Sequence, residues 1–293
     1  MKCNSCPRQC NIDRDSAVGF CGVSGKIRVA RAALHFWEEP CISGTKGSGA
    51  VFFSGCNLQC IFCQNREISR GKVGKDISCS RLAEIFVELQ KQGANNINLV
   101  TPSHYVNQII PAIIFAREMG LSVPVVYNSS AYESVETLKK LEGYIDVYLP
   151  DCKYWDEELA VKFSRAPAYR DISFAAIGEM LRQTGKAEFD ENGLIKKGVI
   201  VRHLVLPGHV NDSKKVMGQL YDTFGDDIYI SIMNQYTPLA DLPDYPELNR
   251  KLTGREYKKI LDYAFDIGIE NGFMQEGDVA KESFIPDFDL EGV

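Results

Sequence analysis

The sequence contains no hydrophobic run long enough to cross a membrane and no excess of basic residues. Its apolar stretches all fall short of the roughly 20 residues that span a bilayer, and residues 1–6 lack the apolar core of a secretory signal. The formal net charge is -6, so the basic stripe that nucleic-acid binding needs is not apparent. We therefore expect a cytoplasmic protein that binds neither nucleic acid nor a membrane.

Internal repeats and low-complexity linkers are also absent, and the 293 residues are 45% hydrophobic and 25% charged. A chain of this length can bury a full core. Short β-branched or aliphatic runs alternate with amphipathic stretches of helical spacing, which is typical of βα units around a parallel sheet. The six predicted strands are Gly49–Phe53, Asn96–Val100, Val123–Tyr127, Ile145–Leu149, Val199–Leu206 and Ile228–Met233.

Six βα units are fewer than the eight that close a full barrel, so the fold class expected is α/β, a partial (β/α)6 TIM-like barrel. We expect three regions: a cysteine-rich segment over residues 1–45, the partial barrel over 46–271 and an irregular tail over 272–293 that packs back on the barrel. Asn192-Gly193 predicts an exposed hairpin or loop within 190–197.

Cysteine is the unusual component. Ten are present, and only Cys79 and Cys152 lie beyond residue 63. A small secreted domain would use them as disulfides, but this chain is neither small nor expected to be exported, so metal or redox chemistry is the better interpretation. Cys79 and Cys152 are expected to be buried structural residues.

Three cysteines follow the first predicted strand with C-x3-C-x2-C spacing: Cys56, Cys60 and Cys63. Thiolates are the usual ligands of iron–sulfur clusters, and three of them would leave one iron of a 4Fe-4S cluster open to another ligand. The alternative is structural zinc, but such sites are closed by four ligands and no histidine is near in sequence. The spacing favours the cluster.

A second group, Cys3, Cys6, Cys10 and Cys21, offers four thiolates in the first residues of the chain. Four can close a tetrahedral zinc site or ligate a second iron–sulfur cluster, and the sequence does not choose between the two. Metal binding would give this short segment folding energy that its small core lacks. Four free thiols are the third alternative, and Cys41 could serve as an extra or substitute ligand.

The C-x3-C-x2-C motif, with aromatic Phe62 before its last cysteine, resembles the signature of the radical S-adenosylmethionine (SAM) superfamily. The resemblance implies that SAM binds the open iron and that a reduced cluster cleaves it to a 5'-deoxyadenosyl radical, which abstracts hydrogen from a substrate. Nearly the whole chain is similar to uncharacterised relatives of pyruvate formate-lyase activating enzyme. The blocks that carry this similarity include residues 6–10, 49–65, 98–104, 127–132, 148–154, 201–208 and 286–289.

This wider resemblance implies a set of cosubstrate-binding residues. Asp151 and Lys153, after the fourth predicted strand, match the activating enzymes' D-x-K pair beside the SAM carboxylate, although a surface ion pair is the alternative. His203 matches a histidine that contacts the nucleoside, while a lone histidine in a strand is otherwise a core residue. Asn128 and Ser129 stand where those enzymes carry D-T. If the pocket of those enzymes holds a cation there, the loss of the carboxylate puts that cation in doubt in this chain.

The second predicted strand departs from the superfamily, where a G-G-E motif binds the methionyl amino group. Here the strand ends Val100-Thr101-Pro102-Ser103-His104. Thr101, Ser103 or His104 could accept hydrogen bonds from an ammonium in its place. Ser103 could equally be the N-cap of the helix that follows.

These residues predict an enzyme that takes hydrogen from an unidentified substrate, conceivably a glycine of a partner glycyl-radical enzyme, with modification of a small molecule or another protein as an alternative. The non-enzymatic alternative is an iron–sulfur protein for electron transfer or scaffolding. An external donor of the flavodoxin or ferredoxin type is implied. Residues that could line a substrate pocket are Asn234, Tyr236, Gln275 and Glu276.

Overall fold

The computed structural model describes residues 2–239, 241–275 and 285–293. Its strands are β1 (Ile27–His35), β2 (Ser48–Phe53), β3 (Lys75–Ile77), β4 (Ile97–Val100), β5 (Val125–Ser129), β6 (Val147–Pro150), β7 (Glu188–Phe189), β8 (Ile195–Leu204), β9 (Tyr229–Met233) and β10 (Gly272–Met274).

The helices pack mainly outside this sheet. They are α1 (Pro40–Ser43), α2 (Arg66–Ser69), α3 (Cys79–Lys91), α4 (Val106–Glu118), α5 (Val135–Lys139), α6 (Glu157–Ser164), α7 (Tyr169–Thr184), α8 (Val210–Phe224) and α9 (Gly254–Asp266). Short 3-10 turns cover Ser103–Tyr105, Gly225–Asp227 and Pro246–Asn249. No helix in the part of the chain described is both long and apolar enough to span a bilayer.

The partial TIM-like barrel expected from the sequence is confirmed. The strands follow the order β10-β9-β8-β6-β5-β4-β2-β1-β3 in one sheet, and each neighbouring pair from β2 to β10 is parallel. All residues of β2, β4, β5 and β6 are buried, because helices cover the outside and side chains fill the inside. The carboxyl ends of these strands meet at one mouth of the barrel.

Additions at both edges of the sheet were not predicted. β1 pairs antiparallel with β2, from Val29 opposite Phe53 to His35 opposite Ser48, and β3 pairs antiparallel with β1. Residues 27–35 of the expected cysteine-rich segment therefore belong to the barrel sheet.

The carboxyl-terminal region also differs from the irregular tail expected over 272–293. Gly272–Met274 forms β10 beside β9. Further on, Leu290 N donates to Ala30 O at 3.1 Å and Ala32 N donates to Glu291 O at 2.8 Å. The end of the chain therefore lies along β1. The predicted hairpin is present, since β7 pairs antiparallel with β8 around Asp190–Leu194.

Candidate functional site: a cysteine loop and a charged network at the barrel mouth

The three motif cysteines lie on one loop at the carboxyl end of β2, which we call the cluster loop (residues 54–65). Backbone contacts to α6 fix it: Ile61 N donates to Phe163 O at 2.9 Å and Gln59 N to Ser164 O at 3.4 Å. On its other side the buried Asn57 side chain donates to Tyr132 O at 2.6 Å. The loop is therefore positioned by neighbouring elements rather than by its own local structure.

The sulfurs of the cluster loop receive hydrogen bonds. Ser164 Oγ donates to Cys60 Sγ at 2.9 Å, and Leu58 N donates to Cys56 Sγ at 3.3 Å. Ser164 is the last residue of α6 and is itself hydrogen-bonded to the Tyr154 hydroxyl at 2.7 Å. Such donors stabilise negative charge on sulfur, and hydrogen bonds to thiolates tune the potential of a bound cluster.

Burial raises the pKa of the Cys56 thiol, and the nearby Cys60 and Cys63 thiols raise it further. The pKa of Cys63 is raised by burial and by Cys60. Without a metal the Cys56 and Cys63 thiols stay protonated at neutral pH, because burial disfavours the thiolate form and neighbouring negative charge disfavours it further. Cationic iron removes that penalty, so the donor set suits an iron–sulfur cluster.

A network of charged side chains faces the cluster loop across the same cavity. Asp151, just beyond β6, is its centre: Lys153 Nζ lies 2.7 Å from Oδ2 and Arg202 Nε lies 2.8 Å from Oδ1. Arg202 also reaches Glu38 Oε2 at 2.8 Å and Asn128 Oδ1 at 2.7 Å. These side chains come from the ends of β5, β6 and β8 and from the segment after β1, so the barrel mouth brings them together.

The charges of the network hold one another in place. Burial opposes the ionisation of Asp151, but Arg202 and Lys153 outweigh it and lower the carboxyl pKa. Burial likewise opposes the charge of Lys153, but Asp151 and then Cys60 raise its pKa above the usual value. Lys153 is therefore a cation within the electrostatic reach of the cluster loop, in a cavity able to take an anionic group.

The structure divides the other predicted cosubstrate residues into two groups. Thr101, Asn128 and Ser129 line the cavity with Asp151 and Lys153. Thr101 adopts a left-handed conformation, with φ of 61°, at the end of β4. Its amide donates to Asn128 O at 2.8 Å, which holds the two strand ends together.

His203, Ser103 and His104 are not among the residues that line this cavity. His203 is on the opposite face of β8 from Arg202, and its Nδ1 is 2.7 Å from Cys152 O. Ser103 donates to Glu133 in the interior. His104 lies behind the cluster loop with Nε2 2.8 Å from Ser54 O. In this conformation all three side chains are buried and hydrogen-bonded to groups other than those that line the cavity.

Sequence reasoning gave no role to several cavity residues, among them Glu38, Arg202 and His35. Arg202 was visible as the neighbour of His203 in a strand, where alternation places one of the two inward. Glu38 and His35 carried no signal, because β1 was not predicted. The pKa of His35 is lowered to about 4 by burial, Arg202 and Arg31, so the imidazole is neutral.

The residues proposed for a substrate pocket are partly at this site. Tyr236 lines the cavity, whereas the backbone of Asn234 is bonded to the Gln275 side chain at 2.9 Å. Gln235, between them, also lines the cavity. Glu276 lies outside the described residues.

The amino-terminal cysteines form a second group on the outer side of the cluster loop. Cys6 and Cys21 are buried, and Cys3 and Cys10 are partly exposed. Burial raises the pKa of the Cys6 thiol to about 12, with further increases from Glu133, Cys21 and Cys10. All ten cysteines of the chain are free thiols.

Cys41, considered as a substitute ligand, is elsewhere: it packs inside the barrel in a cluster with Val126, Val147 and Ile200. Cys152 is buried as expected, but Cys79 at the start of α3 is only half-buried. Its position in the first turn of an amphipathic helix explains the exposure.

Neither cysteine group converges on a point. Within the described ranges, no three Cys, His, Asp or Glu side chains are arranged to hold a single metal ion. Zinc requires thiolates about 2.3 Å from one centre. An iron–sulfur cluster instead takes each thiolate on a separate iron, so its ligands stand farther apart. The cluster loop offers three thiolates for three irons, which leaves the fourth iron without a protein ligand.

Fold and site together define a class of iron–sulfur proteins in which three cysteines lie at the mouth of a partial parallel barrel. The family model described as the radical SAM superfamily matches residues 50–218, more than half of the chain. The chain therefore belongs to the radical SAM superfamily, whose members combine a 4Fe-4S cluster with SAM.

Individual proteins are also similar to this chain. The uncharacterized protein MJ0674 of Methanocaldococcus jannaschii is 29% identical over 273 residues, covering 89% of this chain and 74% of that protein. Among solved structures, SuiB of Streptococcus suis bound to SAM gives a TM-score of 0.51 at 15% identity, with 76% of this chain and 49% of that chain covered. The FeFe-hydrogenase maturase HydG from Carboxydothermus hydrogenoformans gives 0.50 at 13% identity, with coverage of 80% and 56%.

At these identities the structural similarity indicates the fold alone. The chain spans about half the length of the solved structures that it resembles.

Proposed function

We propose that this protein cleaves SAM reductively at a 4Fe-4S cluster held by Cys56, Cys60 and Cys63, and that the resulting radical takes hydrogen from a substrate in the same cavity. One observation carries the proposal. The three thiols and the charged pair Asp151 and Lys153 line a single cavity at the barrel mouth. Three thiolates leave one iron for a chelating cosubstrate.

The chain's own residues bind and orient the cosubstrate. Lys153 offers an ammonium for the methionyl carboxylate, and Asp151 keeps that ammonium charged and fixed. Thr101 and Ser129 offer hydroxyls for the methionyl amino group where the superfamily has its G-G-E motif. When bound and reduced, the cluster supplies one electron that breaks the sulfonium bond to give methionine and a 5'-deoxyadenosyl radical.

The substrate we favour is a polypeptide, such as a glycine-bearing segment of a glycyl-radical enzyme. A groove of about 420 Å³ beside the cluster loop, lined by Phe62, Arg66, Leu242 and Pro286 among others, is open to solvent. Resemblance to relatives of pyruvate formate-lyase activating enzyme supports the glycyl target. SuiB, one of the structural neighbours, was crystallised with its precursor peptide SuiA.

The redox chemistry requires a one-electron donor of the flavodoxin or ferredoxin type. Ten free thiols and an oxygen-sensitive cluster suit a reducing compartment, which supports the cytoplasmic location expected from the sequence.

Release of 5'-deoxyadenosine tests the cleavage step. The protein would be reconstituted with iron and sulfide without oxygen, reduced with dithionite and incubated with SAM. We expect 5'-deoxyadenosine and methionine in equal amounts from the wild type and none from the Cys60→Ala variant. Cys79→Ala, a cysteine outside the cavity, should retain the activity. A reconstituted, reducible cluster that releases no 5'-deoxyadenosine would instead support the electron-transfer or scaffold function.

A further inference from the structure

The amino-terminal cysteine segment (residues 2–26) lies directly against the cluster loop. Cys56 N donates to Cys21 O at 3.1 Å, so a prospective ligand of one site is hydrogen-bonded to a prospective ligand of the other. Gln59 Nε2 donates to Phe20 O at 3.3 Å and Arg8 Nε to Asn57 O at 2.8 Å. The segment is thus a supporting wall of the cluster loop.

Two of its thiols, those of Cys10 and Cys21, lie beside Gly19. A Cβ on Gly19 would stand 3.4 Å from Cys10 Sγ and 3.8 Å from Cys21 Sγ. The Phe20 amide lies 3.5 Å from Cys10 Sγ and is positioned to donate to it. The Cys6 thiol is electrostatically coupled to both Cys10 and Cys21, and Cys21 is coupled to Cys3. Cys10 and Cys21 therefore lie close together, and Cys3 and Cys6 are near enough to interact with them electrostatically.

The backbone around Cys10 is strained. Gln9 and Asn11, on either side of it, have φ angles of 42° and 54° in the left-handed region. Residues other than glycine adopt this conformation rarely, and usually only where their surroundings enforce it. The segment itself has no helix or extended strand within its described residues, only an isolated bridge between Lys2 and Asp13. A bound metal group would supply the energy that secondary structure does not.

The arrangement favours a cluster over zinc. Cys21 O accepts a hydrogen bond from Cys56 N at 3.1 Å, so a redox-active group held here would lie beside the barrel cluster, whereas zinc does not carry electrons. Four cysteines also complete a 4Fe-4S cluster without an open iron, which suits electron transfer rather than cosubstrate binding. Cys3 and Cys10 are partly exposed, so the group faces solvent on one side and the cluster loop on the other.

We propose that Cys3, Cys6, Cys10 and Cys21 hold a second 4Fe-4S cluster that accepts single electrons from a flavodoxin or ferredoxin and passes them to the cluster of Cys56, Cys60 and Cys63. This proposal rests on the proposed function above. One electron leaves the protein donor, resides on the outer cluster and then reduces the inner one. This electron transfer forms and breaks no covalent bond and moves no proton.

Metal content tests the site independently of SAM cleavage. The full chain with Cys56, Cys60 and Cys63 replaced by alanine would be reconstituted anaerobically, and iron, sulfide and zinc counted. We expect about four irons and four sulfides, with an electron paramagnetic resonance signal after reduction. One zinc in place of iron, or no metal, overturns the second cluster.

A second variant tests the same site in case the triple variant does not fold. Replacing Cys3 and Cys10 by serine in the otherwise native chain should lower the iron content from about eight to about four per chain. Unchanged iron content would overturn the site. If the triple variant holds iron while the native protein cleaves no SAM, the proposed function is wrong. The proposed second cluster is then still supported by the iron content.

Comparison of two reductants tests the relay. Dithionite is small enough to enter the cavity, whereas a protein donor must use the outer surface. For Cys10→Ser we expect the ratio of flavodoxin-driven to dithionite-driven 5'-deoxyadenosine formation to fall at least about tenfold relative to wild type. The matched variant Cys79→Ser should leave the ratio unchanged. A wild-type ratio in Cys10→Ser would overturn the relay.

Discussion

Lys153 is the residue whose charge is most directly available to a ligand in the barrel mouth. Its ammonium is 2.7 Å from Asp151 and its pKa is raised by that carboxylate, so it stays charged over the neutral range. Removing a charge-assisted hydrogen bond of this type costs about 1.5 to 3 kcal/mol. We predict that Lys153→Ala raises the Kd for SAM about 10- to 100-fold.

Equilibrium binding of SAM to the anaerobic, cluster-loaded protein would measure this effect. Lys259→Ala, an exposed lysine on α9, is the matched control and should bind as the wild type does. An equal iron content in the two variants is needed to separate lost binding from a lost cluster. A Kd for Lys153→Ala within a factor of about two of wild type would show that the ammonium does not contact the cosubstrate.

Ser164 makes the most specific contact to a cluster-loop sulfur, at 2.9 Å from Cys60 Sγ. A donor to thiolate sulfur stabilises the reduced, more negative cluster. We predict that Ser164→Ala lowers the reduction potential of the barrel cluster, measured by anaerobic redox titration. Tyr154→Phe, which removes only the hydroxyl that orients Ser164, should lower it less. Exposed Ser80→Ala is the control, and an unchanged or higher potential in Ser164→Ala would contradict the assignment.

At the scale of the elements, the charged network ties strand ends together. Arg202 on β8 joins Asp151 beyond β6 to Glu38 beyond β1, and both carboxylates are mostly shielded from water. Removing one partner of a buried ion pair costs about 3 to 5 kcal/mol because the others are left uncompensated. We predict that Arg202→Met destabilises the fold by about 3 kcal/mol in urea unfolding.

A double variant separates charge from packing. The double variant Arg202→Met with Glu38→Gln lacks one of the carboxylates that Arg202→Met alone leaves unpaired. Its free energy of unfolding should therefore exceed that of Arg202→Met by about 1 kcal/mol or more. If the two substitutions are simply additive, the network is not a coupled unit. Arg182→Met, an exposed arginine on α7 with its own ion pairs, should cost less than about 1 kcal/mol.

The elements also show where sequence reasoning succeeds. The six core strands were predictable because each is an apolar run bounded by turn residues, and burial on both faces leaves little ambiguity. β1 was missed because Ile27–His35 mixes alanines and arginines without clear alternation, and only pairing with β2 makes it a strand. β10 was missed because three residues carry no periodic signal and depend on β9 beside them.

The same dependence on local sequence pattern explains which residues of the candidate site could be predicted. The three cluster cysteines were located by their spacing, and Asp151 and Lys153 by their match to the activating enzymes' D-x-K pair, because each set lies within one short segment. Glu38 reaches the cavity only through the position of β1, and no local pattern reports that. Which of Arg202 and His203 faces inward depends on the register of β8, which was not fixed from the sequence.

At the scale of the whole molecule, a buried carboxyl links folding to pH. Glu133 lies in the interior, where it accepts hydrogen bonds from Ser103 and from Tyr127, the latter at 3.3 Å. Burial raises its pKa from 4.5 to about 7, although those hydrogen bonds oppose the shift. The folded protein therefore holds this proton more tightly than the unfolded chain does.

The sign of the effect follows from that difference. Because the pKa is higher in the folded state, the stabilisation is fully present below the unfolded pKa near 4.5 and is lost as pH rises through about 7. Between about pH 5 and pH 8 we predict that the wild type loses roughly 2 kcal/mol relative to Glu133→Gln, in which the buried amide does not titrate.

The difference between the urea unfolding midpoints of the two proteins, followed across this pH range under anaerobic conditions, would measure the loss. Other titrating groups contribute equally to both proteins and cancel in the difference. Glu136→Gln, an exposed carboxyl on α5, should show no such trend relative to wild type. A difference independent of pH would mean that Glu133 is ionised in the folded state and that its hydrogen bonds outweigh its burial.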